Sequence, residues 1–164
     1  LTYPAQFSRA TGLQLLSLGC SGRCMLQDYF CDVLVDVEAD AFIFDTFSNP
    51  SAKVIEARLA NFVEGITKAH PGKPLIFQQT IYREGRNFSQ SVEAKESAKQ
   101  AMAEKLMKEA VKKYDDVYFI QTNATDQMHS TSVDGIHPSD YGYTLWAESI
   151  RKPIVKILKK YGIR

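Results

Sequence analysis

The sequence is short of several things at once. Of its 164 residues only three are cysteine, six are proline, nine are glycine and one is tryptophan. An odd cysteine count leaves at least one thiol unpaired within the chain, so the cysteines are no disulfide framework, and we expect three reduced thiols. Cys20 and Cys24 have Cys-x3-Cys spacing and Cys31 follows. No histidine lies near them in sequence, so they are not a zinc motif either. The low glycine and proline content excludes collagen-like and disordered chains. Neither sign of charge is in excess: twenty Lys and Arg stand against nineteen Asp and Glu, a formal charge of +1. That balance gives no electrostatic footprint for nucleic acid or an anionic membrane. No apolar run approaches the ~18–20 residues needed to span a bilayer.

What is there is a core. Hydrophobic residues make up 45% of the chain, and a single domain of this length buries roughly 70% of its unfolded surface. The apolar residues fall into short runs alternating with longer amphipathic stretches. Tyr3 to Thr11 reads as a helix, with Pro4 in its first turn and Gly12 just past its end. Leu13 to Leu18 is a candidate strand stopped by Gly19. Met25 to Val37 places Leu26, Tyr29, Phe30, Val33, Leu34 and Val37 at helical spacing. Ala41 to Phe47 is apolar around Asp45, as in a strand covered on both faces. Ser51 to Ala69 is a helix with Val54, Ile55, Leu59, Phe62, Val63 and Ile66 inward.

Leu75 to Phe77 is the next strand, followed by a polar loop from Tyr82 to Phe88. Ser91 to Tyr114 is a long helix, with Ala98, Ala101, Met102, Leu106 and Val111 on one side. Its Lys95 to Lys113 run, interleaved with Glu93, Glu96, Glu104 and Glu109, reads as a solvated face. Val117 to Ile120 is a short strand. Pro138 to Tyr161 is the last helix, broken or kinked at Pro153, with Trp146 in the core. Strands alternating with helices of this length predict a three-layer α/β/α sandwich on a mainly parallel, flavodoxin-like sheet. We count about four strands and five helices in one domain, residues 1–164. A helix at the start has no strand feeding it, and Leu1-Thr2-Tyr3-Pro4-Ala5 reads as the interior of a gene product. The expectation is therefore a domain incomplete at its N-terminus, with a first strand upstream of Leu1.

Ligands of open parallel sheets sit outside the carboxyl ends of the strands, which directs attention to the residues after each apolar run. The most specific of these segments is Val133-Asp134-Gly135-Ile136-His137-Pro138. A carboxylate three residues from an imidazole, in a turn that opens a helix, can orient the ring and stabilise its cation. On spacing alone, a turn-capping Asp134 and an ordinary surface His137 explain the same residues. His70 suits a helix C-terminus, and His129 lies in the loop leading to Asp134, where it could line a cleft. Tyr82, Arg83, Arg86 and Asn87 form a loop that is either solvated or placed to touch an acyl or sugar group.

Asp134-Gly135-Ile136-His137-Pro138, followed by Asp140 and Gly142, resembles the fifth sequence block of the SGNH, or GDSL-type, esterases and lipases. Leu18-Gly19-Cys20-Ser21-Gly22 is similar to the family's Gly block, and Phe44-Asp45-Thr46-Phe47-Ser48-Asn49 to its Asn block. The Asn block is commonly Gly-x-Asn-Asp, and Phe-Ser-Asn-Pro here resembles that of a divergent, bacterial-type subgroup. The resemblance implies that Asp134 and His137 are triad members, and that Gly22 and Asn49 donate to an oxyanion. It implies ester hydrolysis without metal or cofactor, on a small-molecule or carbohydrate ester such as an acetylated sugar, with Tyr82 and Arg83 as candidate substrate contacts. The family's Ser block has no counterpart, so the nucleophile is expected upstream of Leu1. Ser21 has the right chain order, but Arg23 stands where a nucleophile elbow needs Gly. Cys20 has no cation beside it in sequence to activate its thiol, and Ser48 reads as a helix cap. The alternative is a non-catalytic SGNH-like carbohydrate-binding or interaction module. A nucleotide binder is disfavoured because no Gly-x-Gly-x-x-Gly or phosphate loop follows a strand.

Overall fold

The computed structural model describes residues 2–164. Among these are α1 (Tyr3–Thr11), α2 (Asp28–Val35), β1 (Phe42–Phe44), α3 (Ala52–Ala69), β2 (Leu75–Gln78), α4 (Gln90–Lys113), β3 (Val117–Ile120) and α5 (Asp140–Lys160), with a 3-10 turn, Glu84–Asn87, between β2 and α4. The strands run parallel in the order β1-β2-β3. Ile76 is in register with Ile43 on one side and Tyr118 on the other.

Alternation along each strand builds the two outer layers. Phe42, Phe44, Leu75, Phe77 and Val117 pack with Ile55, Leu59, Phe62, Val63 and Ile66 of α3 and Ala103 and Met107 of α4. Ile76 and Ile120 belong to the other face, with Phe7 of α1 and Trp146, Ile150, Ile154, Ile157 and Leu158 of α5. This is the expected α/β/α sandwich, and burial of each large side chain contributes about 1.5–3 kcal/mol. One polar residue crosses the layers. Gln78, fully buried at the carboxyl end of β2, accepts from Trp146 Nε1 at 2.9 Å and donates to the Tyr3 hydroxyl at 3.2 Å. The Tyr3 and Trp146 rings stack 4.0 Å apart. Burial holds the Tyr3 phenol far above its ordinary pKa, so it stays a neutral hydrogen-bonding partner.

The structure departs from the sequence pattern in four places. Leu13 to Leu18 forms no strand; Leu15, Leu16 and Leu18 are exposed, Leu16 by 69%. β1 is an edge of the described sheet, and a segment with no strand beside it has nowhere to place its backbone donors and acceptors. The second helix is shorter than its pattern: Leu26 is buried but sits at φ 56°, ahead of α2. The long helix is turned about its axis. Its buried stripe is Glu96, Lys99, Ala103 and Met107, whereas Ala98, Ala101 and Val111 are exposed. Finally, α5 continues through Pro153. Ile150 before it and Ile154, Ile157 and Leu158 after it are all buried, and that packing outweighs the ~3 kcal/mol cost of an interior proline.

Candidate active site

The loops after β1, β2 and β3 all leave the same, carboxyl edge of the parallel sheet. The loop after β3 carries Asp134 and His137. Its shape is set by short-range bonds. Val133 N–H donates to the His137 carbonyl at 3.0 Å, and Ser139 N–H to the Thr131 carbonyl at 2.8 Å. Ser132 Oγ donates to the His137 carbonyl at 3.0 Å and accepts from Gly135 N–H at 2.8 Å. Gly135 sits at φ 83°, and a Cβ there would lie 3.1 Å from the Gly85 backbone; only glycine allows the two loops to approach so closely. The helix begins at Asp140 rather than Pro138, and Ser139 caps it, accepting from Gly142 N–H at 3.2 Å.

Within this frame Asp134 and His137 meet. The imidazole Nδ1 is 2.7 Å from Asp134 Oδ2. A carboxylate only accepts, so Nδ1 carries a proton, and in the neutral ring Nε2 then keeps its lone pair. Asp134 Oδ1 accepts from the backbone N–H of Ile136 at 2.9 Å and of His137 at 2.7 Å. These bonds, the His137 backbone donor first, hold the carboxyl well below the usual carboxylate range. The pair is open to solvent: the His137 side chain is 71% exposed and that of Asp134 49%. We expect the Asp134 carboxyl to show no protonation step of its own above pH 4 in an NMR titration. The sign follows from the depressed folded-state value: the charged form is favoured on folding, so its contribution is complete above the ordinary pKa of ~3.9 and is lost only below it.

Asn49 ends the loop after β1 and is exposed. Ser48, immediately before it, does not cap α3; Ser51 does, accepting from Val54 N–H at 3.3 Å. The Ser48 hydroxyl donates instead to Asp45 at 2.8 Å, and burial raises the Asp45 carboxyl above its ordinary pKa. Gly22 lies in a turn closed by Arg23 N–H on the Cys20 carbonyl at 2.7 Å, with φ 67°. Cys24, just after that turn, has its thiol pushed up to about 11, first by burial and then by Asp45. Ser21 lies in the same turn, with no strand before it. Among the described residues no hydrogen bond links Gly22 or Asn49 to the Asp134–His137 pair, and no serine hydroxyl is bonded to the His137 ring.

The loop after β2 connects the other two. Arg83, expected toward substrate, turns inward: its Nη2 donates to the Ser48 carbonyl at 2.5 Å and its Nη1 meets Glu96 at 3.3 Å. Gly85 N–H donates to the Gly135 carbonyl at 2.8 Å. Tyr82 stays at the rim, its hydroxyl on Asn87 at 2.5 Å and Arg86 over its ring at 4.8 Å. A narrow crevice runs between Tyr82, Glu84, Ile136 and Pro138.

Sequence reasoning missed Glu84. It is buried, yet it gathers donors from three segments. Asn87 Nδ2 donates to it at 3.0 Å, Thr131 Oγ1 at 3.3 Å, and Thr125 Oγ1 also bonds to it. His129 Nδ1 lies 2.8 Å from its second oxygen, and His129 accepts the left-handed φ of 53° in making that bond. Glu96 and Lys99 were missed too: charged residues inside a Lys/Glu run give no signal of burial. Among the described residues no group of His, Cys, Asp and Glu is placed to hold a metal ion, and no helix is long and apolar enough to cross a membrane.

A parallel three-layer sandwich with a carboxylate–imidazole pair at the carboxyl edge of its sheet defines the class. The chain belongs to the GDSL-like lipase/acylhydrolase family, whose model matches residues 1–156. Among solved structures it is similar to a Bacteroides ovatus protein assigned as a GDSL-like lipase, at 36% identity and a TM-score of 0.89, covering 96% of this chain and 47% of that one. The salicylyl-acyltransferase SsfX3 of a tetracycline biosynthetic pathway shares the fold at 21% identity and a TM-score of 0.76, over 95% of this chain and 49% of that one. So does a carbohydrate esterase of family 3 from Talaromyces cellulolyticus, at 12% identity and 0.61, over 98% of this chain and 92% of that one. The chain thus spans about half the length of the first two. No curated protein matches it.

Proposed function

We propose that residues 1–164 are the base-bearing part of an SGNH-type domain that hydrolyses a carboxylic ester through a Ser-His-Asp triad. The observation that carries this reading is the 2.7 Å bond between His137 Nδ1 and Asp134 Oδ2, at the edge of the sheet where parallel-sheet proteins place their ligands. A serine on a strand beside the open edge of β1 attacks the acyl carbon. Nε2 of His137 takes its proton and returns it to the leaving alcohol, then takes a proton from the water that cleaves the acyl-serine and returns it to the serine as the acid leaves. Asp134 fixes the tautomer and stabilises the imidazolium. The Gly22 N–H and the Asn49 amide donate to the oxyanion, and Tyr82 borders the acyl or alcohol portion. The irregular Leu13–Leu18 segment, exposed from Gln14 onward, and the side of β1 left unpaired among the described residues support a further strand beside β1. The class of substrate is a small or carbohydrate ester, an acetyl group on a sugar being the family-level case.

Hydrolysis of short-chain p-nitrophenyl esters by the full chain tests the proposal. Asn49→Ala is expected to lower kcat by about 10²–10³, the usual loss of one oxyanion donor, with KM little changed. A full chain that binds acetylated sugars without turnover would support the non-catalytic module instead.

A further inference from the structure

The Ser48 carbonyl is an unusual acceptor. Arg83 Nη2 donates to it at 2.5 Å and Lys99 Nζ at 3.1 Å, so both of its lone pairs are taken by cations. Lys99 also meets Glu96 at 2.7 Å, and Arg83 the same oxygen at 3.3 Å. These side chains are 17% exposed for Arg83, 6% for Lys99 and 8% for Glu96. Burial pulls the Lys99 ammonium below its ordinary pKa, with Glu96 opposing. Withdrawing such charges from water costs several kcal/mol per ion, and well-packed apolar residues often serve stability as well or better. The cluster therefore does something other than fill space.

What it holds is the peptide unit shared by Ser48 and Asn49. That unit is planar, so fixing the Ser48 oxygen fixes the Asn49 nitrogen. Asp45 fixes the same residue from its hydroxyl. On the other side Pro50 is buried, and a following proline confines Asn49 to extended backbone. Asn49 is thus exposed at its amide and anchored at both backbone neighbours.

We infer that Arg83 and Lys99 are positioning residues that aim the Asn49 amide through the Ser48 carbonyl. The inference rests on the reading of Asn49 as an oxyanion donor, and it gives Arg83 a role other than substrate contact. It also accounts for two basic residues converging on one loop whose own side-chain brace is the bond from the Ser48 hydroxyl to Asp45.

The test uses the full chain and the variants Arg83→Met, Arg83→Lys, Lys99→Met and Asn49→Ala. Arg83→Met leaves Lys99 facing Glu96, and Lys99→Met leaves Arg83 facing Glu96, so neither strands a charge. Each methionine variant is expected to lower kcat on p-nitrophenyl acetate about 10-fold or more, a fraction of the loss of the donor itself, with KM within about twofold. Arg83→Lys restores part of kcat, since it returns a cationic donor. The Asn49 backbone order parameter falls from about 0.85 toward 0.6, the rigid and flexible limits, while β2 amides are unmoved. Unchanged kcat and order parameter overturn the inference. So does a raised KM at constant kcat, which makes Arg83 a substrate contact, or an equal loosening of β2, which makes the cluster merely structural. If Asn49→Ala turns over like the wild type, the oxyanion reading fails. The order parameter then still decides whether the two cations hold Asn49.

Discussion

His137→Ala in the full chain is expected to abolish ester turnover, by about 10⁴-fold or more in kcat, and to leave the fold unchanged. The magnitude is that of losing the base of a triad, whose members act as one unit. The indifference of the fold follows from geometry. His137 is 71% exposed, so alanine opens no cavity. Asp134 keeps the backbone donors of Ile136 and residue 137, so the turn keeps its shape. A kinetic assay paired with a thermal melt checks both halves. A melt that falls together with turnover would show that the ring braces the loop rather than moving a proton.

The second large effect is on stability. Glu84→Ala removes an acceptor shared by Asn87, Thr125, His129 and Thr131. Bonds to a charged acceptor contribute about 1.5–3 kcal/mol each, but the donors here include an exposed histidine and groups that water can reach. We expect a net loss of about 2–4 kcal/mol, which for a domain of this size lowers Tm by roughly 5–10 °C. Because Glu84 ties the 3-10 turn to the loop running to Asp134, kcat should fall with it. Glu84→Gln keeps the volume but turns one acceptor into a donor facing other donors, and should fall between. A Tm unchanged in Glu84→Ala would mean that the loop is held by the Gly85–Gly135 contact alone.

The two residues proposed to carry the chemistry stand out in the sequence, and the apparatus that holds them does not. Asp134 and His137 are three residues apart in one turn, so local spacing allows their bond, and the resemblance to the family's fifth block singles the pair out. The helix Tyr3–Thr11 and the strand Val117–Ile120 were readable for the same reason: their signals are local periodicity and local stops. Leu13–Leu18 has the composition of a strand but no partner beside it, and pairing is not a property of the segment itself. Lys99 and Glu96 sit in a charged run whose ordinary place is in water. They are buried because Arg83 and the Ser48 carbonyl, distant in sequence, meet them there. Glu84 was hidden in a polar loop, since its donors come from residues up to 47 positions away. In each case the information lies in which segments adjoin, not in the segments themselves.

The most direct measurement is the intact mass of the full chain after reaction with a fluorophosphonate serine probe, beside the His137→Ala variant. The account predicts one probe per wild-type chain, on a serine N-terminal to Leu1, and labelling slowed by orders of magnitude in the variant. No label, a label on Ser21, or labelling at the wild-type rate without the His137 imidazole would contradict it.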